Sequence, residues 1–334
     1  MHRRLFSVLL LTLALLGAAY VIPALATPPG DNGRIVFRRY LGPDRTKGAI
    51  FTIKPDGSGE RQLAKLPAGA SDDHPDWAAD GSKIVFDRCQ ESCRVFVVNS
   101  AGGTPKPVTG SLPKGSCPAK CLDDSYPAFS PDGKRVAFVH AFGKVRDDLI
   151  DHVGIYTSSL DGAQLRRVTL PALRTAVDGQ PQWSPDGRRI VFVRENVTAK
   201  PRGRRAIFVV NANGTGLRRL TPWKLDAGDG PDWSPDGSRI LFRSPDSDQF
   251  VGSKIYEINA DGSGLRQLSR FPASTALYSS SYAPDGTSIV FGRSGVAGQA
   301  DVFVMRTDGT GATPVTRTPS WDSSPDWGPA QATG

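Results

Sequence analysis

One phrase returns along this chain with small changes. "PDWAADGSKIVFDR" begins at Pro75, "PAFSPDGKRVAFVH" at Pro127, "PQWSPDGRRIVFVR" at Pro181 and "PDWSPDGSRILFRS" at Pro231. A weaker copy, "SYAPDGTSIVFGR", begins at Ser281, and a truncated one, "PDWGPA", at Pro325. The aromatic anchors Trp77, Phe129, Trp183, Trp233, Tyr282 and Trp327 are separated by 52, 54, 50, 49 and 45 residues. A repeat of this length constrains the fold more than composition can. Each unit must bury its apolar strands against copies of itself.

Each unit reads as four strands. The anchor sits on a short first strand. "SPDG" is a turn in which Pro sets φ, Asp bonds the local backbone and Gly takes the left-handed position. "RIVF" is a second strand, apolar enough to be covered on both faces. "AIFVVN" (206–211), "RVFVVN" (94–99), "GIYTSS" (154–159), "KIYEIN" (254–259) and "DVFVMR" (301–306) supply the third. A second Gly turn and an "LRRLT"-type segment complete the unit. This is the scale of a propeller blade. The ends complete each other. "GRIVFRR" (33–39), "AIFTIK" (49–54) and "ERQLA" (60–64) lack a first strand, and "SSPDWG" (323–328) is a first strand with nothing after it. Their pairing predicts a closed all-β ring of six four-stranded antiparallel blades over residues 33–328, in one domain spanning 27–334.

The "P-x-W-S-P-D-G" repeat, with its "D-G-x-G" turn and "L-T" ending, resembles that of the TolB-type six-bladed propellers over essentially the whole mature chain. The resemblance implies export and a role as a protein-binding platform in the cell envelope. Related repeats occur in propellers attached to serine peptidases and in some polysaccharide lyases, so fold is implied more firmly than function. TolB itself carries an α/β domain before its propeller. Here only about seven residues separate Ala26 from the first strand, which leaves no room for it.

The first 26 residues read as a signal peptide: "MHRR", an uncharged run from Leu5, and "ALA" ending at Ala26. An uncleaved anchor is the alternative, since the run is long enough to span a bilayer. Cleavage removes Arg3 and Arg4 and takes the formal charge from +8 to +6. That modest excess favours anionic neighbours without pointing to nucleic acid. No second apolar run of membrane length follows. An exported chain with four cysteines reads as disulfide-bonded. Local pairs Cys89–Cys93 and Cys117–Cys121 are expected; crossed pairing and a zinc site are the alternatives.

No G-x-S-x-G elbow occurs, which excludes an attached serine hydrolase. On the face holding the loops between strands two and three, acids recur near the start of the innermost strands. Asp72, Asp124, Asp178 and Asp322 stand five residues before their anchors, and Asp229 stands four before. They read either as turn-stabilising carboxylates or as a channel-mouth ring for a cation or basic group. Lys200, Arg202, Arg204 and Arg205 form a basic rim suited to acidic protein or an anionic envelope polymer. His74, His140 and His152 lie on the same face and would hold a transition metal only if they converge. Trp223 and Trp321 fall between blades, exposed for a partner or covered by a loop. The expected function is that of an exported, monomeric, non-catalytic binding platform. It is periplasmic, extracellular or envelope-associated and has no cofactor. The alternative is a polysaccharide lyase or hydrolase acting at the channel mouth.

Overall fold

The computed structural model describes residues 30–109, 123–146, 149–171, 175–199, 204–244, 252–294 and 299–331. The export segment, Cys117, Cys121, Lys200 and Arg202 lie outside them. Local chemistry builds each repeat. In "SPDG" at 130–133, the Gly133 N–H donates to the Ser130 carbonyl at 2.8 Å, with Gly133 at φ 63°, where a side chain would be strained. Asp132 Oδ1 accepts from Ser130 Oγ at 2.6 Å and from the Lys134 N–H at 3.1 Å. The same hydroxyl–carboxylate bond, also 2.6 Å, recurs at Ser184–Asp186 and Ser234–Asp236. Each motif therefore fixes one tight hairpin.

The result is an all-β propeller. Four sheets have four strands each. The first holds Ser71–Trp77, Lys83–Cys89, Cys93–Asn99 and Lys106–Pro107. The second holds Asp123–Phe129, Arg135–Arg146, Leu149–Ser159 and Arg166–Arg167. The third holds Ala176–Trp183, Arg189–Asn196, Arg204–Asn211 and Arg218–Arg219. The fourth holds Gly228–Trp233, Arg239–Ser244, Lys254–Asn259 and Arg266–Gln267.

The remaining strands depart from the expected six separate sheets. They form one eight-stranded sheet running Ala276–Tyr282, Ser288–Ser294, Ala300–Arg306, Trp321–Pro329, Asn32–Tyr40, Gly48–Ile53 and Arg61–Gln62, with Thr313–Pro314 beside Ala300–Arg306. The reason is local. The first residue of the C-terminal strand, Trp321, makes one parallel pair with Ala300, and that single pair merges two sheets into one. The expected pairing of the chain ends is present. Ile35 lies opposite Trp327, Val36 opposite Asp326 and Arg39 opposite Asp322.

The core lies between sheets rather than within one. Phe37, Phe86, Phe138, Phe192, Phe242 and Phe291, one in each second strand, are 0% exposed. Full burial of such a side chain stabilises by about 1.5–3 kcal/mol. Among the described residues the apolar side chains fall into six clusters, each shared by two consecutive repeats. The aromatic anchors are buried in these seams. Arg135 and Arg189, each following an "SPDG" turn, lie 4.8 and 4.7 Å over Trp183 and Trp233 of the next repeat. One irregularity shapes the channel wall. The first strand of each four-stranded sheet carries a register shift just before its anchor. His74, Tyr126 and Gln180, three residues before their anchors, have positive φ there, as does Ser324 in the closing strand. Bulges of this kind re-aim side chains; here they turn these four toward the central channel.

Candidate functional site

On the loop face the channel opens as a funnel of about 600 Å³ and narrows to a throat of about 80 Å³. The five acids singled out by the repeat do not stand there as a free ring. Each is engaged by a base on the neighbouring strand. Arg88 holds Asp72 through two bonds of 2.6 and 2.8 Å, and Arg39 holds Asp322 through two of 2.7 Å. Arg194 binds Asp178 at 2.5 and 2.7 Å. Arg243 binds Asp229 Oδ2 at 3.1 and 2.8 Å, and His140 Nδ1 lies 2.6 Å from Asp124. Of the five, Asp178 and Asp229 line the funnel; in three other repeats the next residue does so, as Asp73, Ser125 and Ser323. Burial raises the Asp72 carboxyl despite Arg88, whereas for Asp229 the Arg243 guanidinium outweighs burial and lowers it.

The throat is built from different residues. His74, Tyr126, Gln180, Ser279 and Ser324 line it three residues before the anchors, and Asp76, Gln182, Asp232, Ser281 and Asp326 one residue before. Three of these are carboxylates, Asp76 and Asp232 buried and Asp326 half-buried, and among the described residues none has an ion-pair partner. Asp76 Oδ2 accepts the Phe129 N–H at 2.8 Å, Asp232 Oδ2 the Tyr282 N–H at 2.7 Å and Asp326 Oδ2 the Trp77 N–H at 2.8 Å. Gln182 donates to Asp76 at 3.0 Å and Ser281 to Asp326 at 2.7 Å. Burial, reinforced by the charge of Asp326, pushes Asp232 up to about 7 and Asp76 well above the ordinary carboxylate range. Burial raises Asp326 as well. Ser280 stands where the other five repeats have proline, and its buried Oγ has no hydrogen-bond partner among the described residues.

A family model described as the TolB beta propeller domain matches residues 114–251. TolB from Acinetobacter baumannii superposes with a TM-score of 0.69 at 20% identity, over 91% of this chain and 68% of that one. Residues 114–251 thus match a TolB-type propeller repeat, and the chain as a whole shares the propeller fold. The putative TolB from Agrobacterium tumefaciens gives 0.60 at 19% identity, over 90% and 100%. A chain of a nidogen/laminin complex gives 0.58 at 11%, over 86% and 93%. At these identities the likeness is one of fold. No match was found among curated protein sequences.

The three histidines of this propeller do not converge. His74 Nδ1 lies 2.8 Å from Asp87, His140 is tied to Asp124, and His152 stacks on Phe142 with centroids 4.8 Å apart. Within the described part of the basic rim, Arg205 pairs with Glu195 at 2.9 Å and lines the funnel, while Arg204 Nη1 reaches the Lys224 carbonyl at 3.4 Å. Trp223 packs on Phe208, and Trp321 lies under Arg45 at 3.6 Å and beside Tyr278 at 5.0 Å; both are half-buried. Cys89 and Cys93 are joined as expected. Among the described residues no helix is long and apolar enough to cross a membrane. The throat acids are what reading by position missed. Their signal was in the sequence: "PDW" is written three times, at Pro75, Pro231 and Pro325, where the other three repeats have "PAF", "PQW" and "SSY".

Proposed function

We propose that this chain is an exported, non-catalytic six-bladed platform that captures a protein partner on its loop face by taking a cationic side chain into the throat. The observation that carries this is the trio Asp76, Asp232 and Asp326, throat carboxylates without a base among the described residues. An ammonium or guanidinium group at the end of a flexible stem matches a wide funnel over a narrow acidic throat. Ser280 Oγ offers it a further acceptor. The six-blade count is supported by the six inter-repeat clusters and by the single Ala300–Trp321 pair that joins two otherwise complete blades. Export is supported by residues 1–26. On the rim, the five paired acids hold the strand ends in place, and Arg204 and Arg205, with Lys200 and Arg202, meet acidic groups of the same partner.

The test compares the mature propeller with a triple variant, Asp76→Asn, Asp232→Asn and Asp326→Asn, in capture of partners from envelope extract and in titration with Lys- and Arg-containing peptides. Binding should release protons at pH 6–7, seen as a buffer-dependent heat, because a cation drives the raised carboxyls to ionise. A folded triple variant that captures the same partner with the same affinity overturns the reading.

A second reading, lyase chemistry, has one observation in its favour. His74, oriented by Asp87, lies against Tyr126 in the throat wall with ring centroids 3.7 Å apart, which brings an imidazole and a phenol to one site. Unsaturated product from oligouronides, lost in His74→Ala, would favour it.

A further inference from the structure

Cys89 and Cys93 sit opposite each other at the tip of a hairpin and are bonded. Only three residues lie between them, and the ladder already holds the two strands together. Disulfide stabilisation grows with the loop closed, so this bond adds little constraint. Its surroundings are more specific. Asp87, on the same strand, is 1% exposed. Its Oδ1 accepts from His74 Nδ1 at 2.8 Å and from the Tyr126 N–H at 3.3 Å. Its Oδ2 has Cys89 Sγ as its polar neighbour, at 3.9 Å. A disulfide sulfur carries no proton. In the oxidised chain, Oδ2 is therefore a buried carboxyl oxygen without a donor among the described residues, which is costly. A thiol or a cation at the sulfurs removes that cost. The Asp87 carboxylate and both sulfurs lie within 4.8 Å of one another.

We propose that opening the disulfide converts Asp87, Cys89 and Cys93 into a site for a thiophilic divalent cation of the Zn²⁺ class. A dithiol reductant supplies two electrons and two protons and leaves as its own disulfide, while the Cys89–Cys93 bond becomes two thiols. The ion then displaces both thiol protons to solvent and is held by two thiolates and one carboxylate. Such a donor set suits a borderline-soft ion and leaves a fourth position open. His74 is the positioning residue. Its Nδ1–H holds Oδ1 and thereby turns Oδ2 toward the sulfurs, the outer-shell arrangement that metal ligands need. Because His74 also lines the throat, the site connects the redox state of the hairpin to the channel wall.

The experiment uses the full chain with Cys117→Ser and Cys121→Ser, so that one cysteine pair reports. It is reduced anaerobically with a phosphine, freed of reductant and titrated with Co²⁺. One ion per chain should bind, with thiolate-to-cobalt charge-transfer absorbance that Zn²⁺ abolishes, and none should bind before reduction. Adding Cys89→Ser and Cys93→Ser, with Asp87 intact, should remove the band. Asp87→Asn should weaken binding by at least about tenfold. X-ray absorption of the Zn²⁺-loaded chain gives a readout that needs no Asp87 variant, and a shell of two sulfurs with oxygen is expected. The proposal is overturned if the reduced chain binds no more Co²⁺ than the oxidised one. A folded Asp87→Asn chain of unchanged affinity, or a four-sulfur shell signalling an ion shared between chains, also overturns it.

Discussion

At Asp232, burial and the charge of Asp326 push the carboxyl up to about 7 from its ordinary 3.8. The folded state prefers this group protonated, so its favourable contribution is complete below about pH 4 and is lost as pH rises to about 7. Ionisation in the folded chain costs on the order of 4 kcal/mol. Asparagine keeps an acceptor for the Tyr282 N–H and never ionises. Asp232→Asn should therefore melt close to the parent at pH 4 and several degrees above it at pH 8, by calorimetry across that range. A gap that does not change with pH would show that the carboxyl is ordinary. A variant that gains stability while losing partner capture is what a site held at the expense of the fold predicts.

Asp178 and Arg194 are direct partners on adjacent strands of the third sheet, and their bond recurs as Asp72–Arg88 and Asp322–Arg39. The fourth sheet retains the pair although its acid has slid one residue, because its base, Arg243, has slid as well. The fifth repeat has Leu277 in the acid's place, and there Arg293 lies over Phe271 and Phe303 at 4.6 and 5.1 Å instead. Asp178→Leu alone should cost about 3–5 kcal/mol, since it leaves a largely buried guanidinium unpaired. Asp178→Leu with Arg194→Met should return to within about 1 kcal/mol of the parent. Urea unfolding of the two singles and the double measures the coupling, and additive losses would argue against a pair. These pairs also mark how far the sequence could be read. Strand order, turns and core phenylalanines arise from residues that act locally or by periodicity, so they were legible. The acids were legible as positions. Their partners lie across a strand, and the matching Arg comes one or two residues after the core Phe in a segment that otherwise reads only as apolar. The throat was hidden for a related reason. Whether an Asp faces a base or another Asp is set by the bulge, which the repeat pattern does not encode.

Closure is a property of the whole ring, and the strand Trp321–Pro329 holds it in four ways. It forms the ladder to Asn32–Tyr40, it pairs Asp322 with Arg39 at the rim, and it buries Trp327 in the seam with the fifth repeat. It also sends Asp326 to the Trp77 N–H, tying the last repeat to the first. Deleting residues 320–334 removes all of these and leaves the edge of Asn32–Tyr40 unpaired, open to association with other chains. In a ring, each sheet is stabilised by two neighbours, so breaking one seam weakens the cooperation of every sheet with the next. The truncated chain should therefore melt lower and over a wider range, with a smaller calorimetric enthalpy, and should aggregate on heating. Supplying residues 318–334 as a separate peptide should restore part of the melting temperature if the strand can re-enter its seam. Partner capture should return with it, since Asp326 rides on that strand. A truncated chain whose transition is as sharp and as high as the parent's would mean that the six seams are held independently and that closure contributes little.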